Sequence, residues 1–281
     1  MSTLAVVAHR ATPTNTRLGA VLTPAQCLAR LGPGDVAIGR LDVLRSLDGI
    51  EPGLWALDRL ERAGVTVLNG RRALVNAHDK LATAVALSTS GVPHPRTRHV
   101  APWEPLPVID PPVVLKPRFG SWGSDVFLCT DEAELDRTLA EVATRDWFKA
   151  TGAIAQELVP PTGFDVRIVV AGGRVAGAIR RVAAPGEWRT NVALGGRREP
   201  VRPSAAACEM ALAAAQATGG ALVGVDLLPA GPDAWVVLEV NGAVDFTARY
   251  ELDGDVFAAV RAALAAEALA TVAAEPAEAA V

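Results

Sequence analysis

Lysine is scarce in this 281-residue chain: it occurs only as Lys80, Lys116 and Lys149, and every other Lys/Arg position holds arginine. A chain that prefers arginine so strongly, yet keeps lysine at a few sites, points to places that need a compact ammonium group. Chance retention explains Lys149 equally well. Lys80 and Lys116 fall within the motifs described below.

Other absences exclude whole classes of protein. The formal net charge is −4, so the chain lacks the basic excess expected of a nucleic-acid-binding face. No uninterrupted apolar run reaches the ~18–20 residues of a membrane span. The N-terminus, MSTLAVVAHRATP, lacks a basic start followed by a long apolar stretch. We therefore expect a cytoplasmic protein with neither a nucleic-acid nor a membrane partner.

Cysteine and histidine are also few, and their spacing is uninformative. The three cysteines are scattered, odd in number and without metal-ligand spacing, which favours buried free thiols in a reducing cytoplasm over disulfides. The four histidines form no Ser-His-Asp or Cys-His arrangement with other residues. Nucleophilic side-chain catalysis is therefore not indicated. The hydrophobic share of 50% is ordinary for a globular chain of one to three subdomains.

Apolar runs alternate with helical patterns through the first 75 residues, which predicts a small α/β layer. Strands are predicted at 4–8, 36–39 and 65–68. Helices are predicted at 23–31 and 53–63, the first with Thr23 as N-cap and Pro24 at its first position.

The remaining chain predicts two further segments with their own strands and helices. The middle one has a proline-rich connection at 93–112 and a strand–glycine turn–strand hairpin. The last has a hairpin about Gly172-Gly173 and two late apolar strands. Predicted helices are 79–89, 131–144 (capped by Thr130), 202–218 and 253–271; predicted strands are 113–116, 126–129, 153–159, 165–170, 174–181, 222–228 and 235–240.

Three oxygen-bearing side chains interrupt the two late strands. Asp226 lies within an apolar strand, and Glu239 and Asn241 lie two residues apart in the next one, on a common side. If these strands pair as a hairpin, Asp226 joins the other two. Two carboxylates and an amide oxygen form the hard, all-oxygen site that Mg²⁺ takes. Taken alone, these residues fit the polar face of a half-exposed sheet better than a metal site.

Upstream features favour the metal interpretation. Lys116 ends a strand and precedes the loop Gly120-Ser121-Trp122-Gly123, whose backbone N–H groups can point at phosphates. Neither a P-loop nor a dinucleotide-binding glycine motif is present. Arg167 and Arg181 interrupt apolar strands, and arginine suits a bidentate grip on phosphate or carboxylate.

Taken together and in order, these stretches resemble the ATP-grasp superfamily, and within it the RimK/LysX-like amino-acid (α-L-glutamate) ligases. The resemblance covers roughly residues 76–246. The matching stretches are 76–80 (NAHDK), 113–117 (VVLKP), 120–123 (GSWG), 156–157 (QE), 165–167 (DVR), 180–181 (RR), 189–196 (RTNVALGG), 224–226 (GVD) and 239–241 (EVN).

The resemblance implies a role for each group. Lys80 and Lys116 would contact ATP phosphates under a lid formed by the glycine loop. The other implied nucleotide contacts are Gln156, Glu157, Leu158, Val159, which offer backbone to adenine, and Asp165. The implied metal ligands are Asp226, Glu239 and Asn241, holding Mg²⁺ with Mn²⁺ as the alternative ion. The implied catalytic residues, which steady the γ-phosphate and an acyl phosphate, are Arg167, Arg181 and Asn191.

The resemblance also implies an ATP-grasp fold of mixed α/β (α+β) type. We expect an N-terminal α/β domain (1–75), a central lobe (76–152), a C-terminal lobe (153–270) and a flexible tail (271–281), with ATP between the two lobes. A carboxylate would attack ATP to give an acyl phosphate, which an amine then attacks. The cationic and positioning side chains would carry that chemistry.

The implied partners are an amino acid such as glutamate and a carboxylate on a carrier protein, a peptide with a C-terminal Glu or a cofactor; homo-oligomers occur in the family. Departures from the family pattern at Leu194 and at 242–247 bear on the substrate. Two alternatives stay open: a ligase making a small metabolite or dipeptide-type natural product, and a non-catalytic ATP-binding regulator.

Overall fold

The computed structural model describes residues 4–43, 53–104, 110–120 and 123–274. Ser121, Trp122 and the predicted tail from 275 onward lie outside these ranges. The strands are β1 (Leu4–Val7), β2 (Ala20–Leu22), β3 (Val36–Gly39), β4 (Thr66–Leu68), β5 (Thr97–Val100), β6 (Val113–Pro117), β7 (Phe127–Cys129), β8 (Ala153–Glu157), β9 (Phe164–Ala171), β10 (Arg174–Val182), β11 (Arg197–Pro200), β12 (Leu222–Gly231) and β13 (Ala234–Asn241). The helices are α1 (Pro13–Leu18), α2 (Pro24–Arg30), α3 (Leu54–Arg62), α4 (Arg71–Asn76), α5 (Lys80–Thr89), α6 (Glu132–Val142), α7 (Asp146–Thr151), α8 (Ala205–Thr218) and α9 (Val256–Ala274).

The first sheet is parallel, with strand order β2-β1-β3-β4. Its predicted strands and helices are confirmed, including a capping box in which Thr23 and Gln26 bond reciprocally. The short α1 and β2 were missed, because six- and three-residue elements show too little periodicity. The helix α4 was missed for the same reason.

The second sheet is antiparallel, with order β5-β8-β6-β7, and the predicted β6–β7 hairpin is confirmed. Two predictions here were wrong. The proline-rich connection contains β5, which pairs with β8 along Thr97↔Gln156. The N-cap of α6 is Asp131, whose carboxylate accepts from the Glu134 N–H (2.8 Å), while Thr130 donates to the Glu134 side chain.

The strand β8 belongs to the second sheet, since it pairs with β6 as well as β5. The sequence had assigned this strand to the C-terminal lobe. Because β8 pairs within the second sheet, the boundary between the two sheets falls after Glu157 instead. A strand's partners are set by the path of the chain around it, and its own residues do not encode them.

The third sheet has order β11-β10-β9-β12-β13 and is antiparallel throughout. The helix α8 covers one face, where Val166, Ile168 and Val225 are buried. It begins later than predicted, with Ser204 as its N-cap, because the Ser204 hydroxyl accepts from the Ala207 N–H (3.2 Å). Part of the opposite face is covered by α9 through Val260 and Leu264.

The helix α9 starts and ends about three residues later than predicted, so 271–274 are helical. It is the one helix, among those the structure describes, long and apolar enough to cross a membrane by length and composition. That test is weak, since a core helix also passes it. Here Val256, Phe257 and Val260 are buried in the core of the third sheet.

Asn69 ties the first sheet to the third. Its Nδ2 donates to the Leu222 carbonyl (2.7 Å), and its Oδ1 accepts from the Leu222 N–H (3.0 Å). Asn69 has a positive φ of 49°, which asparagine tolerates better than most residues. The end of β4 is therefore fixed against the start of β12, which determines how the first sheet meets the site described next.

Candidate active site

Strand register brings the predicted charged residues onto one face of the third sheet. Asp226 on β12 lies opposite Glu239 on β13 and opposite Arg167 on β9. Arg181 on β10 lies opposite Asp165, two residues before Arg167. Because residues two apart share a face and directly paired residues do too, all five side chains project from the same side. The two late strands therefore pair as the hairpin on which the grouping of Asp226 with Glu239 depended.

A β-bulge adjusts β13 to this face. Between Asp226↔Glu239 and Leu227↔Val237 the register shifts by one, leaving Leu238 as the extra residue. Val237 and Val240 can therefore both pack beneath α8. Leu238 and Glu239 both line the cleft on the other side.

A buried network joins two carboxylates to two arginines. Arg167 donates to both oxygens of Asp226 (2.6 and 2.7 Å). Arg181 donates to Asp226 Oδ2 (2.7 Å) and, through Nε, to Asp165 Oδ1 (2.7 Å). The Thr190 hydroxyl donates to Asp165 Oδ2 (2.6 Å), so the loop after β10 is fixed to the network. Charges are balanced within the cluster, which is what permits their burial.

The arginines determine the charge state of Asp226. Burial by itself would raise the pKa of Asp226, but Arg167 and Arg181 outweigh it and lower the pKa to about 2. Burial raises the pKa of Asp165, and Arg181 and Thr190 only partly oppose it. Asp226 is therefore an anion at neutral pH, held in a fixed orientation.

Between the second and third sheets lies a cleft of about 960 Å³ that is open to solvent. Apolar side chains from both sheets, including Val114, Leu228 and Leu238, line part of it. Charged groups line the rest. A cleft with an apolar part and a few convergent charges is the usual form of a small-molecule site.

Both motif lysines reach this cleft. Lys116 on β6 is buried, and its ammonium donates to Gln156 Oε1 (2.8 Å). Burial, assisted by the charge of Lys80, lowers the pKa of Lys116 to about 8. Lys80 begins α5, donates to the Gly120 carbonyl (2.6 Å) and lies 3.7 Å from Glu239 Oε1.

The position of Lys80 depends on two residues that the sequence left without a role. Asp79 is the N-cap of α5, accepting from the Leu81 N–H (3.0 Å). Its carboxylate also accepts two hydrogen bonds from Arg118 (2.8 and 2.5 Å). The Asp79-Lys80 dipeptide before an apolar helical pattern was the signal for such a cap.

The mouth of the cleft is bridged by the loop after β10. Arg189 donates to the Gly123 carbonyl (3.1 Å), and Glu187 holds its guanidinium at 2.8 Å. The Asn191 side chain lies against Gly123, where an added Cβ would meet its Oδ1 at 2.8 Å. Gly123 also has a φ of +76°, so two constraints favour glycine there. Trp188 and Arg189, which line the cleft, had received no role from the sequence.

The stretch predicted to contact adenine also lies along the cleft. The N–H groups of Glu157 and Leu158 are already bonded, to the carbonyls of Arg96 (2.9 Å) and Pro112 (3.3 Å). Within the described residues, the amide of Val159 has no such partner. Val159 is therefore the amide in this stretch that is free to donate to a ligand.

Most of the predicted site residues meet in this one cleft. Those lining it are Lys80, Lys116, Gly120, Gly123, Gln156, Glu157, Leu158, Val159, Asp165, Arg181, Asn191, Asp226 and Glu239. Arg167 and Asn241 are not among its lining residues. Arg167 donates to both oxygens of Asp226, and Asn241 donates to the Gly224 carbonyl (3.4 Å). Asp165 is fully buried and satisfied by Arg181 and Thr190, so its geometry is that of a positioning residue.

The donor set fits a divalent cation bound together with phosphates. No cluster of three His, Cys, Asp or Glu side chains occurs within the described parts of the chain. Asp226 and Glu239 supply two carboxylates from directly opposed positions, and Asn241 adds an amide oxygen on the same strand side. Mg²⁺ characteristically takes one or two protein carboxylates and completes its shell with water and phosphate oxygens.

These features define an ATP-grasp ligase: two α+β units clamp a cleft that carries two lysines, paired carboxylates and arginines. Residues 77–260 match the model of the RimK-like ATP-grasp domain, so the chain belongs to that family of ADP-forming acid–amino acid ligases.

Relatives agree with this assignment. The chain is 31% identical to the glutamate–LysW ligase ArgX of Sulfurisphaera tokodaii, over 76% of this chain and 78% of that protein. It is 29% identical to a probable α-L-glutamate ligase of Alkalilimnicola ehrlichii, over 79% and 78%. The fold is shared with the ATP-grasp ligase PsnB bound to a minimal precursor, Mg and ADP (TM-score 0.60, 18% identity, covering 95% of this chain and 98% of that one).

Proposed function

We propose that this protein uses ATP to join an amino acid such as glutamate to a carboxylate on a carrier protein, peptide or cofactor. The observation that carries the proposal is the meeting of Lys80, Lys116, Asp226 and Glu239 in one cleft between two sheets. Relatives named for ligating glutamate, one of them to the protein LysW, support the choice of substrate class.

The reaction needs placement of charge more than a nucleophilic side chain. A substrate carboxylate oxygen bonds to the γ-phosphorus while the bond to the ADP oxygen breaks. An amine then attacks the acyl carbon, phosphate leaves with the C–O electron pair, and the amine loses a proton. Lys80 and Lys116 bind the negatively charged phosphates, and the Val159 amide donates a hydrogen bond to adenine. Arg181 keeps Asp226 ionised and oriented throughout.

Mg²⁺, when bound by Asp226, Glu239 and Asn241, supplies positive charge to the phosphates. Arg167 donates to both oxygens of Asp226, so we assign Arg167 a positioning role rather than contact with the acyl phosphate. Asn191, beside Gly123 at the mouth, helps to exclude water from the reactive intermediate. Ser121 and Trp122 keep their proposed place in the lid.

A second candidate is transfer of an amino acid to a small metabolite. A relative from Methanosarcina acetivorans, 30% identical over 69% of this chain, is named tetrahydromethanopterin:α-L-glutamate ligase. The same cleft chemistry serves both candidates. The carboxylate substrate is what separates them.

We also propose an N-terminal layer (1–75) and two lobes, in which the predicted boundary at 152/153 is moved past β8, to 157/158. The three cysteines are free thiols, which supports a reducing, cytoplasmic setting. A homo-oligomer stays part of the proposal, and light scattering of the purified chain tests it.

The test is ADP release by the purified chain with ATP and Mg²⁺, repeated with Mn²⁺. Amino acids are screened against glutamate-terminated peptides, a carrier protein and small carboxylates. We expect release that requires both substrates and falls at least ~100-fold in Glu239→Ala. Glu251→Ala, an exposed glutamate outside the cleft, serves as the matched control. Acceptor-independent ATP hydrolysis that Glu239→Ala leaves unchanged would sink the proposal.

A further inference from the structure

The carboxyl ends of β1 and β3 meet at a switch point of the first sheet, which none of the roles above uses. In the first sheet β2 lies on one side of β1, while β3 and β4 lie on the other, so connections diverge between β1 and β3. In parallel sheets such a switch point is the usual place for a ligand. Arg40 directly follows β3 there, and its N–H donates to the Val7 carbonyl at the end of β1 (3.0 Å).

The Arg40 guanidinium is buried and only partly bonded. Its side chain is 1% exposed. Nε donates to Asn15 Oδ1 (2.5 Å), and NH2 donates to the Val244 carbonyl (2.7 Å). NH1 is also buried, and it has no hydrogen-bond partner within the described residues. Buried N–H groups in native proteins are nearly always paired, so this one points to an acceptor that is not among the described residues.

An exposed carboxylate stands beside this cation. Asp245 Oδ1 lies 3.6 Å from Arg40 NH2 and accepts from the Thr12 hydroxyl (3.3 Å), while 65% of the Asp245 side chain remains exposed. Burial lowers the pKa of Arg40 to about 10, and the charges of Asp245 and Asp42 oppose that shift. The switch point therefore places a guanidinium and a carboxyl group side by side.

Segment 242–246 holds this pair in a fixed relation to the cleft. The segment follows Asn241 directly. Asn69 donates to the Gly242 carbonyl (3.4 Å), and the Thr14 hydroxyl bonds both polar backbone groups of Phe246 (3.3 Å each). Val244 packs so closely on Gly224 that an added Cβ would meet it at 2.5 Å. A ligand bound to Arg40 and Asp245 would therefore have a fixed position relative to β13, which carries Glu239.

We propose that Arg40 and Asp245 bind the free amino acid that supplies the amine, with NH1 of Arg40 on its α-carboxylate and Asp245 at its amino group. The assignment rests on the proposed function, because it names the site of the second substrate. An α-amino acid carries its cation and anion on one carbon, so it matches a neighbouring arginine and aspartate. A simple anion would use only Arg40, and a simple amine only Asp245.

The test uses the full chain with L-glutamate as probe and two analogues, its α-amide and glutaric acid, which lacks the amine. We expect Arg40→Lys and Asp245→Asn each to raise KM for L-glutamate at least about tenfold, with KM for ATP within twofold of wild type. The wild type should bind the α-amide more weakly than L-glutamate, and Arg40→Lys should not show this difference in binding. Asp136→Asn, an exposed aspartate on α6 outside the cleft, is the control.

Calorimetric binding separates this site from the proposed reaction. Arg40 is buried, so if Arg40→Lys unfolds at a lower temperature, the exposed Asp245 carries the test. If the wild type turns over and neither substitution changes KM for L-glutamate, the proposed amino-acid site is wrong but the proposed function stands. If no substrate pair releases ADP, the proposed function fails. Binding of L-glutamate to wild type and its loss in Asp245→Asn would still support an amino-acid site.

Discussion

The face of the third sheet that bears Asp226 has two halves with opposite chemistry. In one half Val169, Ala171 and Ile179 are fully buried beneath α9. In the other, Asp165 and Arg167 occupy the same face of β9 as Val169 and Ala171, but Asp165 lines the cleft and Arg167 is ion-paired with Asp226. Both halves follow one two-residue alternation, so alternation assigns a residue to a face and leaves its surroundings open. What covers each half decides whether charge or hydrocarbon is stable there.

The largest effect should follow from breaking the charge balance in the polar half. Asp226→Ala leaves Arg167 and Arg181 without their shared carboxylate, which we expect to cost about 3–5 kcal/mol of unfolding free energy. ADP release should become undetectable. Urea denaturation and steady-state assays measure the two effects. Asp226→Asn, which keeps the shape and removes the charge, is the matched variant, and a fully stable Asp226→Ala would contradict the balanced-charge account.

A comparable loss of stability should occur in the apolar half without a loss of nucleotide binding. Ile179→Ala removes buried methyl groups beneath α9 and should cost about 2–5 kcal/mol. Below the shifted melting temperature, KM for ATP should stay within twofold of wild type. Ile179→Val removes less and should lower the unfolding free energy by only about 0.5–1.5 kcal/mol. A large rise in KM would mean that the two halves are not independent.

Lys116 makes the cleft sensitive to pH. Its folded pKa of about 8 lies below the ordinary value of 10.5, so between these values the unfolded chain binds more protons. This group's contribution to stability therefore rises with pH across that window. ATP affinity should change in the opposite sense, weakening above about pH 8 as the ammonium is lost. Titration of Kd for ATP from pH 6.5 to 9.5 measures this, and Lys116→Arg should flatten the profile.

The smallest effect is expected where the loop after β10 meets the network. Thr190→Val removes one hydrogen bond to Asp165 and leaves the Arg181 contacts in place. We expect a loss of about 1–3 kcal/mol in stability, since a bond to a buried carboxylate is lost, and a modest rise in KM for ATP. Thr190→Ser retains the hydroxyl and should behave as wild type. If the valine and serine variants have the same stability and the same KM for ATP, the Thr190 hydroxyl does not contribute to the network.

Local sequence was enough to predict β12 and β13 and to suggest that a hairpin between them would bring Asp226 to Glu239. A Gly-Pro-Asp turn joins the two strands, so their neighbourhood is set by short-range geometry. The contacts of Asp226 with Arg167 and Arg181 needed the register between β9 and β12, and Arg167 and Asp226 are 59 residues apart in the chain. No pattern within either strand encodes that register, so the arginines were assigned to phosphate instead.

The first sheet shows a different limit. Its strands and α2 were predicted from periodicity and capping, yet Arg40 and Asn15 drew no attention. An isolated arginine after a strand looks like a surface residue until the fold buries it against Val244, over two hundred residues away. The same holds for β8, whose membership of the second sheet depends on where β5 and β6 lie.

The extra residue in β13 has a consequence for chain length. Leu238 stands outside the pairing, so a chain lacking it would keep Val237 and Val240 beneath α8 and Glu239 on the cleft side. What would disappear is an apolar wall of the cleft. A deletion in a strand without such an extra residue would instead invert every later side chain of the strand. The bulge thus allows this part of β13 to lose one residue, with a change in the shape of the ligand space and an intact sheet.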